Sequence, residues 1–250
     1  MQAPGTAPSP ALLAHVGEMP LVRRPILSTV SSFAAELPPG TRVLDAGAGD
    51  APYAELFAHC EYLTADWPQS VHAGGRQADI LASLEALPVP DAGFGAVVCT
   101  EVLEHIAEPG AVLAELLRVL APGGRLCLTV PFAWPLHEEP FDFYRYTPYA
   151  LDHLLGKTGF DQVSIEPNTG FLVTLAQMSE MTRWLFSVSG RPRASRDGPG
   201  LRRRLEILLL RGCSEAIRWL VWRDPWLEGA GSGISFPTGY HVLARKPENS

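Results

Sequence analysis

A chain of 250 residues with 46% hydrophobic side chains can bury a sizeable core, and one domain (1–250) with an elaboration is the expected organisation. Its formal charge of -7 at pH 7 disfavours a general nucleic-acid surface and leaves room for no more than a local basic patch. Four widely spaced cysteines in apolar surroundings, Cys60, Cys99, Cys127 and Cys213, form neither a CxxC pair nor a metal signature and read as buried free thiols of a reducing cytoplasm.

Met1 to Pro10 has no basic start and no apolar run, so it reads as a loose leader and not as a signal peptide. No stretch of about 18 uninterrupted apolar residues follows, and no transmembrane helix is expected. After a capped Ser9-Pro10-Ala11, a helix is predicted over Pro25 to Leu37, with Ile26, Val30, Phe33 and Leu37 on one face and Pro at its first position. Pro38-Pro39-Gly40 stops it and closes an N-terminal helical segment, 1–38.

From there the chain alternates. Strands are predicted at Arg42–Ala46, Glu61–Ala65, Ala96–Cys99, Arg125–Val130, Gln162–Glu166 and Tyr240–Ala244. A helix is predicted over Pro109–Leu120, lined by Leu113, Leu116, Leu117 and Leu120, and ended by Ala-Pro-Gly123-Gly124. A short helix follows at Leu151–Lys157. Strands alternating with helices predict an α/β fold, a parallel sheet covered on both faces. Ligands in such folds bind beyond the carboxyl ends of the strands. That rule gathers Asp45–Asp50, Asp66, Glu101–His105 and Pro131–Asp142 on one rim.

The loop Gly47-Ala-Gly49 between the first strand and a helically spaced Pro52–Phe57 allows close backbone approach. A dinucleotide fingerprint in this register would need a third glycine at Pro52, which has neither an amide hydrogen nor room for close packing, and Asp50 would face a pyrophosphate. No GK[ST] follows, so a phosphate loop is excluded. A cofactor without phosphates suits the acidic loop better.

Asp45-Ala-Gly47-Ala-Gly49, Asp66, Ala78-Asp79-Ile80, Glu101-Val-Leu-Glu104-His105 and Leu120-Ala-Pro-Gly123-Gly124, in this order, resemble the class I S-adenosylmethionine (SAM)-dependent methyltransferases, in particular the small-molecule branch known as methyltransferase domain 11. The resemblance implies a Rossmann-like, seven-stranded, mostly parallel sheet with an antiparallel last strand, supplied by Tyr240–Ala244. A third strand would have to come from the stretch before Asp79. It implies SAM as cofactor, with Gly47 and Gly49 beneath its methionine and ribose and Asp45 near its ammonium. Asp66 would take the ribose hydroxyls, Asp79 with the Ile80 backbone the adenine edge, and Glu101 the methionine end. The family's third loop glycine is Ala51 here. Asp45 and Asp79 also have structural readings, as a cap and a turn aspartate.

The run Pro131 to Pro148 leaves the fifth strand at the same rim and resembles the P-F…H-x-x-P-x-D-x-x-R-x-T segment of that branch at Pro131, Phe132, His137, Pro140, Asp142, Arg145 and Thr147. Two roles are open for His137: a general base for the acceptor, since its ordinary pKa lies near working pH, or one member of a His–Asp–Arg network that pins the loop. Trp134, Phe141, Tyr144, Arg145 and Tyr146 complete the expected substrate wall. Glu101, Glu104 and His105 superficially resemble an acidic metal cluster. No second His stands at helical spacing, and no metal is expected.

The long connection 171–237 carries helices near Phe171–Phe186 and Leu201–Trp222 around a Gly/Pro/Arg/Ser-rich break at Gly190–Gly200. It is too long for a sheet connection and reads as a lid, a dimerisation element or a surface-docking element. Arg191, Arg193, Arg196 and Arg202–Arg204 beside apolar helices suit a lid or homodimer face, or a peripheral contact with a membrane or lipid-linked substrate. The expected function is methyl transfer from SAM to an O, N or C atom of a small molecule with aromatic, sugar or lipid-linked character. A macromolecule (protein or RNA) methyltransferase would want a broad basic groove or an N-P-P-Y-like motif, and the chain has Cys99-Thr-Glu-Val-Leu there. A non-catalytic partner subunit would have no need of Asp45, Gly47, Gly49, Asp66 and Asp79 together.

Overall fold

Seven strands form one sheet in the order β3-β2-β1-β4-β5-β7-β6, in a computed structural model that describes residues 9–69, 77–188 and 236–249 and positions 205, 208, 209, 211–213, 215, 216 and 219. The strands are β1 (Arg42–Ala46), β2 (Glu61–Asp66), β3 (Ile80–Leu81), β4 (Phe94–Thr100), β5 (Leu120–Pro131), β6 (Asp161–Pro167) and β7 (Gly239–Arg245). β1, β2, β3, β4 and β5 pair in parallel, and β7 runs antiparallel to β5 from Arg125↔Arg245 to Pro131↔Gly239. This is the α/β, mostly parallel sheet with an antiparallel last strand that the sequence predicts.

Side-chain alternation places a core on each face of the sheet. Leu44, Ala46, Val97, Cys99, Leu126 and Leu128 face α3 (Pro109–Val119) and α4 (Pro148–Thr158), packing on Val112, Leu113, Leu116, Leu151 and Leu155. Val43, Ala96, Val98 and Cys127 face the other way, onto Val22, Ile26, Val30 and Phe33 of α2 (Pro20–Ala35) and Leu12 and Val16 of α1 (Pro10–Glu18). Central strands buried on both faces read as continuous apolar runs, which is why β4 and β5 are so legible.

Several boundaries differ from the sequence reading. α2 begins at Pro20, not Pro25. Pro20 takes the first-turn position, and Val22 continues the stripe of Ile26 and Val30 toward the N-terminus. The Pro52–Phe57 segment closes only a 3₁₀ turn, Ala54–Phe57. Strand β3 follows Asp79 instead of preceding it. Leu120 leaves α3 with extended backbone and starts β5, so Gly123-Gly124 is not a helix stop. Gly123 N–H donates to Lys246 O (3.0 Å), and Lys246 N–H donates to Gly124 O (2.9 Å), tying both glycines to the chain beyond β7.

The chain divides into two compact units, Met1–Glu166 with Gly239–Ser250, and Pro167–Thr238. In the second, α5 (Phe171–Val188) starts beside a buried hydroxyl cluster: Thr238 N–H donates to Thr169 Oγ1 (2.9 Å), which also meets Thr174 Oγ1 at 3.3 Å. The described positions from 205 to 219 are helical, with Leu205, Leu208, Leu209 and Trp219 exposed. The Gly190–Gly200 break and the six arginines from Arg191 to Arg204 lie outside the described residues, as does most of the helix expected at Leu201–Trp222. Among the described residues no helix is long and apolar enough to cross a membrane, and the four cysteines are unpaired; Cys99 and Cys127 on the central strands are buried as expected, whereas Cys60 is half-buried and Cys213, on a helical segment, is exposed.

Candidate active site

Left-handed backbone gathers at the carboxyl rim of the sheet. Gly47 (φ 80°), Gly49 (φ 54°) and Ala51 (φ 52°) follow β1, Glu101 (φ 54°) follows β4, and Glu138 (φ 52°) lies beyond β5. For a residue with a side chain this conformation costs on the order of 1–3 kcal/mol and persists where the surroundings impose it. Ala51, in the place of the family's third glycine, has the backbone a glycine would favour. It is held there by Ala51 N–H donating to Ala48 O at 2.7 Å.

The first loop folds over the end of β2. Gly47 and Ala48 N–H both donate to Ala65 O (2.8 and 3.1 Å), and Gly49 N–H donates to Asp66 Oδ2 at 3.0 Å. Asp66 Oδ1 accepts from Trp67 N–H at 2.7 Å. Each carboxylate oxygen of Asp66 therefore holds one backbone amide and keeps a further lone pair toward the rim. Asp45 is buried in β1 and accepts from the Tyr62 hydroxyl. Asp79 is exposed, and its Oδ2 accepts from both Thr64 N–H (2.8 Å) and Thr64 Oγ1 (2.7 Å), which seats Ile80 beside Ala65 in β3. Glu101 is bound to β5 twice: its N–H donates to Thr129 O (3.0 Å) and its Oε1 accepts from Thr129 Oγ1 (2.8 Å). Burial raises its carboxyl to about 7 against the opposing effects of that hydroxyl and of Arg145.

The second loop, from Pro131 to Thr147, is organised by Arg145. Its Nε donates to Trp134 O (3.0 Å), Nη1 to Asp142 Oδ1 (2.6 Å) and Tyr144 O (2.7 Å), and Nη2 to Pro135 O (2.7 Å) and Asp142 Oδ2 (2.8 Å). All five guanidinium N–H groups are thus committed. The Arg145 fork holds the Asp142 carboxyl far below the usual carboxylate range. Asp142 Oδ2 also accepts from His137 N–H (2.9 Å) and lies 3.2 Å from His137 Nδ1. Arg145 Nη2 also lies 3.3 Å from the same Nδ1 and donates to it when that nitrogen is unprotonated, so His137 Nδ1 stands between a carboxylate oxygen and a guanidinium N–H. Burial and the neighbouring His105 lower the His137 pKa, which favours the neutral ring.

The two loops are stitched to the turn after β4. Tyr146 is buried and its hydroxyl donates to Leu103 O (3.0 Å), so it anchors the wall from behind. Tyr144 Oη donates to Ala107 O (2.9 Å), and Phe143 N–H donates to Glu104 O (2.9 Å). Phe141 stacks edge-on against Trp67 with ring centroids 5.5 Å apart, bringing the second loop to the end of β2. His137 packs against His105 at 4.7 Å. Sequence reasoning missed Trp67 and the placement of Val102, Glu104 and His105. The Trp-Pro after Asp66 and the E-V-L-E-H motif were the available signals, but neither reveals its partner across the fold.

Residues 44–128 match the family model described as Methyltransferase domain. The chain is 30% identical over 137 residues to a ubiquinone/menaquinone biosynthesis C-methyltransferase of Shewanella piezotolerans, covering 47% of this chain and 53% of that protein. The chain thus spans about half the length of the curated relatives it matches. A SAM-dependent methyltransferase from Archaeoglobus fulgidus has a similar fold (TM-score 0.56, 15% identity, 94% of this chain and 99% of that one). So does the [4+2]-cyclase SpnF (TM-score 0.53, 20% identity, 99% of each), so the fold by itself does not fix the reaction. Taken with the glycine loop at the end of β1 and the sheet order, these matches make residues 44–128 similar to the class I SAM-dependent methyltransferase domains of the methyltransferase domain 11 type, on a fold that the whole sheet shares.

Proposed function

We propose that this chain binds SAM at the rim between β1, β2 and β4 and transfers its methyl group to an O, N or C nucleophile of a small molecule. The observation that carries the reading is the clasp between the left-handed Gly47–Gly49 loop and Asp66. It leaves open carboxylate lone pairs, and with Pro52 in the loop it offers poor support for a pyrophosphate. When bound, the cofactor supplies an electrophilic methyl on a sulfonium.

The residues of the chain bind and orient. Asp66 takes hydroxyl donors, the buried Asp45 and the Glu101 carboxylate attract an ammonium, and Asp79 with the Ile80 backbone borders the adenine side. In-line displacement depends on alignment, which is the work of the Arg145-braced loop with Trp134, Phe141, Tyr144 and Tyr146. His137, kept neutral by burial, accepts a proton from an acceptor that must lose one. Exposed Phe141 and Tyr144 favour an acceptor with an aromatic, sugar or lipid-linked face, and the charge of -7 favours a small molecule over nucleic acid. The unpaired thiols suit a cytoplasmic setting. The 171–237 insertion is read as a lid, a homodimer element or a peripheral membrane contact.

Calorimetric titration with SAM, its demethylated product and NAD tests the reading. Saturable binding of the first two is expected; NAD binding without SAM binding would overturn it.

A further inference from the structure

Glu104 is fully buried, and neither carboxylate oxygen has a hydrogen-bond partner. Such a group is costly unless something compensates it. Burial and the nearby Glu101 raise the Glu104 carboxyl, and its own backbone N–H and the Arg145 charge offset this only in part. His105 Nδ1 lies 2.6 Å from Phe141 O, a carbonyl that can only accept, so Nδ1 carries the proton and Nε2 the lone pair. That Nε2 faces Glu104 Oε1 and Glu138 Oε1, each at 3.7 Å. The ring of His137 stands beside that of His105, centroids 4.7 Å apart, and brings a second imidazole to the same point. Glu104, His105 and His137 each present a ligand atom within 4.8 Å of the others.

We propose that Glu104, His105 and His137, with Glu138 at the mouth, form a binding site for a first-row divalent cation of the zinc class. Two neutral imidazoles and a carboxylate suit zinc, cobalt and their neighbours, and suit magnesium or calcium poorly. Ligands of a tetrahedral zinc stand about 3.4 Å apart, so side chains already within 4.8 Å need only a small contraction. The outer partners are those metal-bound imidazoles use: a backbone carbonyl on His105 and an Arg-braced carboxylate on His137. A cation also takes one buried oxygen of Glu104 as ligand and neutralises its carboxylate. The sequence reading expected no metal because it looked for helical His spacing, whereas here the second imidazole comes from a different loop.

The binding claim stands without the methyl-transfer reading; its catalytic consequence rests on that reading. His137 cannot hold a cation and take a proton through one nitrogen. In the loaded form an acceptor hydroxyl would ionise at the cation, its proton leaving to solvent. In the free form His137 would take it.

The test uses the full chain, stripped with chelator, titrated with Zn²⁺ by calorimetry and with Co²⁺ by visible absorption. One equivalent should bind, and zinc should raise the melting temperature. Glu104→Gln, which keeps the side-chain shape, and His105→Asn should each weaken zinc at least about 100-fold and abolish the melting shift. Cys213→Ser, removing the exposed thiol, should keep the full equivalent. No uptake by the wild-type chain, retention of the equivalent in folded Glu104→Gln or His105→Asn, or its loss in Cys213→Ser overturns the proposal.

Discussion

Val102 roofs Gly47. A Cβ built on Gly47 would come within 2.4 Å of Val102 Cγ2 and 2.9 Å of Cγ1, on a backbone already at φ 80°. The glycine is therefore required twice, by its conformation and by the side chain above it. Gly47→Ala should cost about 2–5 kcal/mol, the sum of left-handed strain and overpacking, and should abolish SAM binding. Val102→Ala added to it should recover the overpacking part and leave the strain. Thermal melts of the two single variants and the double variant check this, and strict additivity would refute the steric coupling.

Asp66→Ala removes the acceptor of two backbone amides as well as the expected ribose contact. It should lower stability by about 1–3 kcal/mol per unsatisfied amide and weaken SAM in parallel. Denaturant melts and calorimetry on the same protein separate the two effects. A stability loss with an unchanged dissociation constant would assign Asp66 to the loop alone.

On the proposed reading, Glu101 gives SAM binding a pH dependence. Burial raises its carboxyl from 4.5 to about 7, so the free protein is largely protonated there below that pH. An ammonium on the ligand favours the carboxylate, and affinity for SAM should rise as pH increases from 6 to 8. Stability has the opposite sign: the raised pKa contributes stability that is full below the unfolded value and is lost as pH rises from 4.5 through about 7. Glu101→Gln should flatten both profiles, measured by calorimetry and by melting across that range.

Arg145→Lys keeps the charge but cannot reproduce five directed N–H bonds. The Trp134, Pro135 and Tyr144 carbonyls lose their common partner, and His137 loses a fixed Asp142. Turnover should fall about 10²-fold through misalignment of the acceptor, with SAM affinity near wild type. Steady-state kinetics with any accepted substrate, set beside SAM titration, reads the split. Equal loss of both would show that the loop also holds the cofactor.

Away from the site, Arg118 in α3 anchors the 87–91 segment. It donates to Glu115 Oε2 (2.8 Å) and Oε1 (2.7 Å), to Asp91, and to the Val89 and Leu87 carbonyls. Arg118→Ala should cost about 1–3 kcal/mol after allowance for partial exposure. Hydrogen bonds from Arg118 lower the Glu115 pKa, so its contribution is present above about 4.5 and lost as pH falls through the folded value. Urea midpoints of wild type and Glu115→Gln between pH 3 and 7 should converge at the acid end.

The fold was legible where burial on both faces writes a continuous apolar run, as in β4 and β5, and where a helix shows a single stripe, as in α3. It was less legible where local signals allow two answers. Pro20 and Pro25 both suit a first helical turn, and only the burial of Val22 decides between them. Two-residue β3 has no period to detect; it is set by the Asp79–Thr64 clamp. At the site, Gly47, Gly49 and Asp66 announce themselves by spacing along the chain. Val102 over Gly47, Trp67 on Phe141 and His105 beside His137 do not, because each pair is made by strands or loops distant in sequence.

The position of β7 sets the order in which the molecule can be finished. β6 is made before β7, yet β7 separates it from β5 in the sheet. While the chain emerges from a ribosome, β5 therefore presents an open edge and β6 lacks its neighbour until the final strand appears. The central strands can assemble vectorially, but closure waits until Gly239–Arg245 has been made. For that interval the exposed edge of β5 is a surface on which nascent chains can pair wrongly, and the chaperone demand of this protein should be concentrated there.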